Sequence, residues 1–379
     1  MEKIRTFYSN GKLLLTGEYA VLDGSLSLAV PTVWGQSLSV RQHKAPGLRW
    51  TSRDEKGRIW FEGSFDIVSL ELRLLGSQNA TSPTSDVNEE SNSKRHGSQH
   101  KSTDSAAISN TLSRILREAK NLNPDFLSDA KGYKVDTKLD FPRDWGLGSS
   151  STLINNIAQW ANVDAYQLLW KAFSGSGYDI ACAQHNRPIL YRLEKESRSN
   201  DGDNQQLSHT KRRVLRSQRK DATDDPSQIK SEFESSFGSR PVVEEVDFNP
   251  RFQNWLHFVH LNQKQNSREG IAKYRQQDFN KKVVVKRISQ ITRQTVSCQN
   301  LKEFESLLTQ HETLIAKTLQ MPTVKESLFP DFKGTLKSLG AWGGDFILAT
   351  GNEDVKSYFK EKGFETILPY SEMVLSFES

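Results

Sequence analysis

A glycine and serine segment near the middle of the chain forces a tight turn between two regular elements. The segment Gly146-Leu147-Gly148-Ser149-Ser150-Ser151 follows an alternating stretch and precedes apolar residues at helical spacing. Its glycines let the backbone turn tightly and approach a ligand closely. The free N–H groups and the positive dipole end of the following helix attract anions. The segment therefore predicts a strand, a phosphate-binding loop and a helix. A plain helix cap is the alternative, since Ser and Thr also cap ordinary helices.

The composition bounds the class of protein. A chain of 379 residues predicts two or three domains. Its low hydrophobic fraction, 35%, predicts that part of the chain lies outside any packed core. The net charge of +5 gives no argument for a polyanionic partner. Two cysteines, Cys182 and Cys298, exclude a disulfide framework and a thiolate metal cluster. The sequence has no targeting segment and no apolar run of about 18 residues, so we expect a cytoplasmic protein with no membrane association.

Two polar stretches stand apart from the rest. Residues 76–106 and 194–240 have few apolar side chains, so we expect both to be flexible insertions that cannot bury enough surface to offset chain entropy. The second contains a basic run, 211–220, that is typical of a nucleic-acid patch. Residues 194–234, however, carry nine Lys or Arg and nine Asp or Glu, and the basic run itself has no interleaved aromatics. Both features argue against nucleic-acid binding.

The remaining segments alternate between strand and helix patterns, which indicates an α+β protein of two lobes. Predicted strands cover residues 12–15, 26–30, 36–40, 133–139, 189–193, 256–261, 346–349 and 366–368. Predicted helices cover residues 110–121, 268–297, 301–319, 323–328 and 353–361.

Three further segments place the glycine and serine loop in a wider pattern. They are Ser9-Asn10-Gly11-Lys12-Leu13-Leu14-Leu15-Thr16-Gly17-Glu18-Tyr19, Gly175-Ser176-Gly177-Tyr178-Asp179-Ile180-Ala181 and Leu339-Gly340-Ala341-Trp342-Gly343-Gly344-Asp345-Phe346. In this order the motifs resemble those of the GHMP kinase superfamily, which includes galactokinase, homoserine, mevalonate and phosphomevalonate kinases. The Asp179 segment is most similar to a bacterial branch with a GYDIA signature.

The resemblance covers residues 1–75, 107–193 and 241–379 and implies a two-lobed fold. It implies a ribosomal-S5-like N-terminal lobe over residues 1–193 with the insertion 76–106, then the insertion 194–240, and a ferredoxin-like C-terminal lobe over 241–379. It also implies a cleft between the lobes that binds ATP, Mg2+ and a small-molecule acceptor. A homodimer is compatible with the sequence, which does not determine the oligomeric state.

Two residues are candidates for catalysis. Asp179 follows Gly175, Ser176 and Gly177 in a loop that can place a carboxylate in a cleft, where it would take the acceptor's proton late or orient its hydroxyl. An Asp capping the next helix is the structural alternative. By resemblance, Lys12 lies beside this aspartate, where its charge would stabilise the transition state. An exposed lysine at a strand start is the alternative.

The resemblance assigns the other site residues in groups. The ATP phosphates are assigned to Gly146, Leu147, Gly148, Ser149, Ser150 and Ser151, and the Mg2+ contact to Ser149 or Ser150. The acceptor is assigned to Glu18, Tyr19, Ser176, Gly177, Gly340, Gly343 and Gly344. The metal-binding glutamate that several mevalonate kinase-like enzymes carry before the catalytic aspartate has no counterpart in residues 166–173, and Asp164 is the nearest acidic residue upstream.

The predicted activity is ATP-dependent phosphoryl transfer to a small molecule of the mevalonate pathway. The form of the Asp179 segment favours phosphomevalonate as the acceptor, with mevalonate second. Diphosphomevalonate decarboxylase, a sugar or homoserine kinase, and a catalytically idle nucleotide-binding protein are the alternatives.

Overall fold

The structure, a computed structural model, describes residues 4–73, 96–129, 131–195, 239–263 and 267–375. Residues 76–95 of the first predicted insertion and 196–238 of the second lie outside these ranges. The first insertion was predicted to extend to residue 106, but helix α1 spans His96–Leu122 and so takes in residues 96–106.

The first sheet has eight strands, and it carries the elements that place the site. The strands are β1 (Arg5–Thr16), β2 (Ser27–His43), β3 (Leu48–Arg53), β4 (Ile59–Phe65), β5 (Leu72–Arg73), β6 (Gly132–Leu139), β7 (Ile189–Lys195) and β8 (Ser239–Glu245). Their order is β5-β4-β3-β6-β2-β7-β8, and β1 pairs with β2. The β3–β6 pair is parallel and the others are antiparallel.

Four helices accompany this sheet: α1, α2 (Ser149–Ala161), α3 (Ala165–Ala172) and α4 (Tyr178–Gln184). An apolar cluster joins α1, α2 and α3 to strands β2, β3, β4 and β6. In α2, Ile154, Ile157 and Ala158 are buried at helical spacing, so one face of the helix is fixed against the core while its N-terminus stays at the cleft.

The second sheet has four antiparallel strands: β9 (Leu256–His260), β10 (Leu336–Leu339), β11 (Phe346–Thr350) and β12 (Ile367–Pro369). Helices α5 (Ser267–Gln276), α6 (Lys281–Ser297), α7 (Leu301–Leu319) and α8 (Val324–Leu328) connect β9 to β10, α9 (Asp354–Glu361) connects β11 to β12, and α10 (Tyr370–Met373) follows β12. The order β10-β11-β9-β12 with these connections is a ferredoxin-like arrangement. The predicted ferredoxin-like C-terminal lobe is thus confirmed.

A shared apolar core holds the two sheets together. Leu13 and Leu15 of β1 lie in one buried cluster with Phe258 of β9 and Phe346 of β11. Leu14, on the opposite face of β1, lies in a separate cluster. Because β1 is covered on both faces, its backbone is a firm support for the residues at the cleft.

The strand and helix predictions differ from the structure in several places. Strands β3, β4, β5, β8 and β10 were not predicted. The helical pattern over 268–297 is two helices, α5 and α6, which break near Asn280, the N-cap of α6. Strand β8 pairs with β7 in the first sheet, although residues from 241 onward were assigned to the second lobe.

Candidate active site

A cleft of about 300 Å³ lies between the two sheets, where the sequence motifs meet. Its walls come from the end of β1 and the turn after it, the loop before α2, the loop before α4, helix α5 and the loop between β10 and β11. Among the residues lining it, the charged ones are Lys12, Glu18, Arg143, Asp179 and Asp345. Two cationic and three acidic side chains therefore face or border one space.

The glycine and serine loop opens a helix, as predicted. Gly148 is the N-cap of α2 with φ of 90°, a left-handed conformation that favours glycine, and no side chain caps the helix. Ser149 is half-buried and Ser150 is exposed at the N-terminus of α2, and both line the cleft. Ser151 donates its hydroxyl to the Gly148 carbonyl at 2.8 Å. The first backbone N–H groups of the helix therefore remain available to an anion at this end of the cleft.

Gly146 makes room for an acidic side chain. It has φ of 64°, and a Cβ built on it would lie 1.8 Å from Oδ2 of Asp345, the residue directly after the second glycine loop. The backbone of the phosphate loop and the Asp345 carboxylate are thus in close contact across the two lobes.

Lys12 is anchored to the same loop. Its Nζ donates to the Gly146 carbonyl at 2.9 Å, and its backbone N–H donates to the Leu147 carbonyl at 3.0 Å. Gly11 permits this approach, since a Cβ there would lie 3.0 Å from the Leu147 oxygen and 2.5 Å from the Thr32 hydroxyl. The register of β1 shifts between Asn10 and Lys12, so a β-bulge aims the lysine into the cleft.

Asp179 lies in the first turn of α4 and also lines the cleft. The helix begins after Gly177, whose φ of 87° turns the chain, and Asp179 Oδ1 accepts the N–H of Ile180 at 3.2 Å. Burial raises the pKa of Asp179 above its usual value, and the positive charge of Lys12 opposes this shift. A carboxylate with a raised pKa is a stronger base than an ordinary aspartate.

Glu18 and Tyr19 border the cleft, and each has a polar atom that is bonded within the protein. Glu18 is 1% exposed and lies 2.6 Å from Lys337 Nζ and 3.3 Å from His311 Nε2. The Tyr19 hydroxyl accepts the Trp342 N–H at 2.7 Å. Tyr19 has φ of 58°, an uncommon conformation for this residue type.

The structure brings most of the predicted site residues together. Residues that line the cleft are Lys12, Glu18, Tyr19, Gly146, Gly148, Ser149, Ser150, Ser151, Ser176, Asp179 and Gly340. Leu147, Gly177, Gly343 and Gly344 do not line it. The Leu147 side chain is buried in the core shared by the two sheets, Gly177 caps α4, and a Cβ on Gly344 would lie 2.4 Å from the Ala341 carbonyl oxygen, which marks a tight turn.

Two charged residues at the cleft were missed by sequence reasoning. Asp345 follows the Gly340–Gly344 loop, and Arg143 precedes the phosphate loop, with its guanidinium 3.8 Å from the ring centre of Trp60. The position of Asp345 directly after a glycine loop was a signal that could have been used. Asp164, the nearest acidic residue to the absent glutamate, caps α3 by accepting the Gln167 N–H at 2.8 Å.

Other expectations concern metals, membranes and disulfides. The described part of the chain has no group of three or more His, Cys, Asp or Glu side chains placed to hold a metal ion. None of the helices in the described ranges combines the length and apolar character needed to cross a membrane. Cys182 and Cys298 are free and buried.

Comparison with solved structures identifies the fold. The structure is similar to a Streptococcus pneumoniae phosphomevalonate kinase in complex with phosphomevalonate and AMPPNP (TM-score 0.55, 15% identity, 98% of each chain covered). It is also similar to the Methanococcus jannaschii mevalonate kinase (TM-score 0.53, 13% identity, 99% of each chain covered). A third similar structure is a Lactococcus lactis galactokinase complexed with galactose (TM-score 0.54, 13% identity, 95% of this chain and 88% of that chain covered). No protein-family model matches the sequence, and a search of curated proteins gives no match. The chain therefore has the fold of the GHMP kinase superfamily, as its motifs predicted.

Proposed function

We propose that this protein is an ATP-dependent small-molecule kinase that phosphorylates phosphomevalonate, with mevalonate as the second choice of acceptor. The observation that carries the proposal is the convergence of Lys12, Asp179 and the N-terminus of α2 on one cleft between the lobes. Phosphoryl transfer needs positioning and charge stabilisation more than covalent chemistry from the protein. An anion site, a cation and a carboxylate supply these three requirements.

Each of the three groups has a distinct task. The N–H groups of α2 and the backbone of Gly146 and Gly148 bind the nucleotide phosphates. Lys12 carries a positive charge next to the transferred group, where negative charge accumulates in the transition state. Asp179 orients the acceptor oxygen and takes its proton, and its raised pKa suits this role.

The donor atoms at the phosphate loop fit a magnesium ion, which kinases of this fold would bring with the nucleotide. Mg2+ prefers oxygen ligands and keeps several waters, so one or two protein ligands suffice. The Ser149 hydroxyl and the Asp345 carboxylate are such ligands, and Gly146 leaves space for the carboxylate beside the loop. Bound there, the ion would neutralise phosphate charge. Asp345 would thus take the place of the glutamate that the sequence lacks.

The choice of acceptor rests on the Asp179 segment. Its Gly-Ser-Gly-aromatic-Asp form resembles phosphomevalonate kinases more than mevalonate kinases. Arg143 is a second cation among the residues that line the cleft, which suits an acceptor that already carries a phosphate. The fold similarity does not decide between the two acceptors, since both kinds of kinase match with nearly equal TM-scores.

The test is ADP formation from Mg-ATP with a panel of acceptors: mevalonate, phosphomevalonate, diphosphomevalonate, homoserine and galactose. We expect turnover with phosphomevalonate. Turnover with mevalonate alone would show that mevalonate, and not phosphomevalonate, is the acceptor. CO2 release from diphosphomevalonate would indicate a decarboxylase. ATP binding by a folded protein without turnover of any acceptor would support the idle nucleotide-binding alternative.

Asp179→Asn should lower kcat at least 100-fold, since general acid–base groups contribute about 10²- to 10⁴-fold, and should leave ATP affinity within about threefold. Asp164→Asn is the matched control, because Asp164 caps the neighbouring helix, and asparagine caps equally well. Equal activity of the two variants would remove Asp179 from the reaction.

A further inference from the structure

Four titratable side chains are buried between the lobes, behind the cleft. Glu18 (1% exposed) follows β1, His311 (0%) and Glu312 (3%) lie on α7, and Lys337 (0%) lies on β10. We call this set the interlobe charge cluster. Charged side chains are rarely buried so fully unless they are paired, so the arrangement requires an explanation.

Lys337 is at the centre of the cluster. Its Nζ lies 2.6 Å from Glu18 Oε1 and 3.5 Å from Glu312 Oε2, and it also donates to the carbonyl of Ser338. The Glu312 carboxylate in turn accepts the Ser338 N–H at 3.1 Å and the Ser338 hydroxyl at 2.7 Å. One ammonium group therefore joins a carboxylate from each lobe.

His311 is neutral in this arrangement. Its Nε2 accepts the N–H of Gly17 at 2.9 Å, so its proton must lie on Nδ1, in agreement with the burial that holds its pKa well below the usual value. Glu18 Oε2 lies 3.3 Å from the same Nε2 and has no hydrogen-bond partner among the described residues. Burial raises the pKa of Glu18 to about 7 and raises that of Glu312, and the charge of Lys337 opposes both shifts.

Both ends of the cluster lead directly into walls of the cleft. On one side, Glu18 and Tyr19 follow β1 and border the cleft. On the other side, Lys337 lies two residues before Leu339, which lines the cleft together with Gly340. A change in the Glu18–Lys337 contact would therefore shift one wall relative to the other.

We propose that the interlobe charge cluster is a positioning unit that fixes the separation of the two cleft walls and so aligns the acceptor with the phosphoryl group of the nucleotide. This inference rests on the proposed kinase function for its catalytic consequence. The physical reason is that apolar contacts between the lobes have no preferred direction. A buried ion pair, in contrast, is favourable only in a few geometries. The shared apolar core joins the lobes, and the charge cluster sets their register at the site.

A purely stabilising role makes a different prediction from a positioning role. Lys337→Met removes the shared cation, leaves two buried carboxylates unpaired, and should lower the unfolding midpoint by more than about 5 °C. The double variant Glu18→Gln/Lys337→Met removes both the cation and one carboxylate with little change in side-chain size. Part of the lost stability should return, since the remaining carboxylate, Glu312, keeps its hydrogen bonds from Ser338.

The experiment measures the double variant in two ways. Hydrogen exchange of peptides from the two walls, around 17–22 and 338–345, should be faster than in the wild type by about tenfold, because the directional contact is gone. With an accepted acceptor, kcat/KM should remain about 10- to 100-fold below the wild type while the Kd for ATP changes less than threefold. Lys362→Met, which removes a surface lysine 3.3 Å from Asp331, is the control and should change neither quantity.

Two outcomes decide the proposal. Slow exchange at both walls of a stable double variant would overturn it, whatever the kinetics, because the walls would then be held without the cluster. Fast exchange together with wild-type acceptor kinetics would also overturn it. If the wild-type protein uses no acceptor, the kinase proposal fails, but the exchange measurement still tests whether the cluster fixes the walls.

Discussion

Gly146→Ala should weaken Mg-ATP binding as well as the fold, whereas a glycine substitution outside the cleft should weaken the fold alone. The new Cβ would lie 1.8 Å from Asp345 Oδ2, whereas real Cβ contacts below 3.0 Å are essentially never seen. The side chain of Asp345 must therefore move by about 1 Å or more, away from the loop that holds the phosphates. The positive φ of 64° adds a backbone cost of about 1 kcal/mol for alanine.

Gly57→Ala is the control that separates these two effects. Gly57 has φ of 79° in the turn between β3 and β4, and a Cβ there meets nothing within 4 Å. Both variants should lose about 1 kcal/mol of unfolding free energy, measured by urea denaturation. Only Gly146→Ala should also raise the Kd for Mg-ATP, by about tenfold or more, which corresponds to about 1.4 kcal/mol. Isothermal titration calorimetry with and without Mg2+ measures this change. Equal Kd values for the two variants would refute the assignment of Asp345 to the nucleotide site.

Three further predictions concern Asp345, the buried titratable groups and the support of the site. Asp345→Asn should raise the Mg2+ concentration needed for half-maximal ATP binding by about tenfold while leaving metal-free ATP binding unchanged; titration with Mg2+ at fixed ATP measures this, and an unchanged midpoint would contradict it. Burial lowers the pKa of His311, so the unfolding free energy of the wild type falls as pH drops below about 6.5. Burial raises the pKa of Glu18 to about 7, so this group makes the unfolding free energy fall as pH rises from 4.5 to 7. His311→Gln removes the first effect, so its unfolding free energy should fall with rising pH more steeply than that of the wild type, by up to about 1.4 kcal/mol per pH unit; parallel curves from denaturation at pH 5 to 7 would rule this out. Asn155→Ala should cost about 1–3 kcal/mol by urea denaturation, because Asn155 is buried and bonded to Ser9 and to α4, and a loss below 0.5 kcal/mol would show that these bonds are replaced.

The sequence predicted the parts of the structure that depend on local pattern. The phosphate loop before α2 was predicted because glycine, serine and a helical repeat are adjacent in the chain. Most regular elements of the C-terminal lobe were predicted from apolar periodicity, which reports burial directly. Strand β10 was missed, and α5 and α6 were predicted as one helix. Strand β3 was missed because two of its buried positions, Thr51 and Ser52, hold polar side chains, so the apolar pattern is weak there. Strand β4 was missed although Glu62 occupies an exposed position next to the buried Phe61, as in a half-buried strand.

The rest of the site depends on contacts that local pattern does not reveal. Glu18 and Lys337 are 319 positions apart and form an ion pair only because β1 and β10 meet behind the cleft. Glu18 was predicted to contact the acceptor, and this remains a prediction, although its carboxylate is bonded to Lys337 within the protein. Asp345 is adjacent to Gly146 only in three dimensions, so its proposed role at the metal had no local signal beyond the glycine loop before it.

We propose that the cleft transfers the γ-phosphoryl group of ATP to a phosphorylated small molecule with the help of Lys12 and Asp179. The most direct measurement is the fate of a radioactive γ-phosphoryl label in the presence of phosphomevalonate, with the wild-type protein and with Asp179→Asn. We predict that the wild type transfers the label to diphosphomevalonate and that the variant transfers at most about one part in a hundred as fast. The proposal would be contradicted if the wild-type protein folds and binds ATP but the label stays in ATP or appears only as inorganic phosphate.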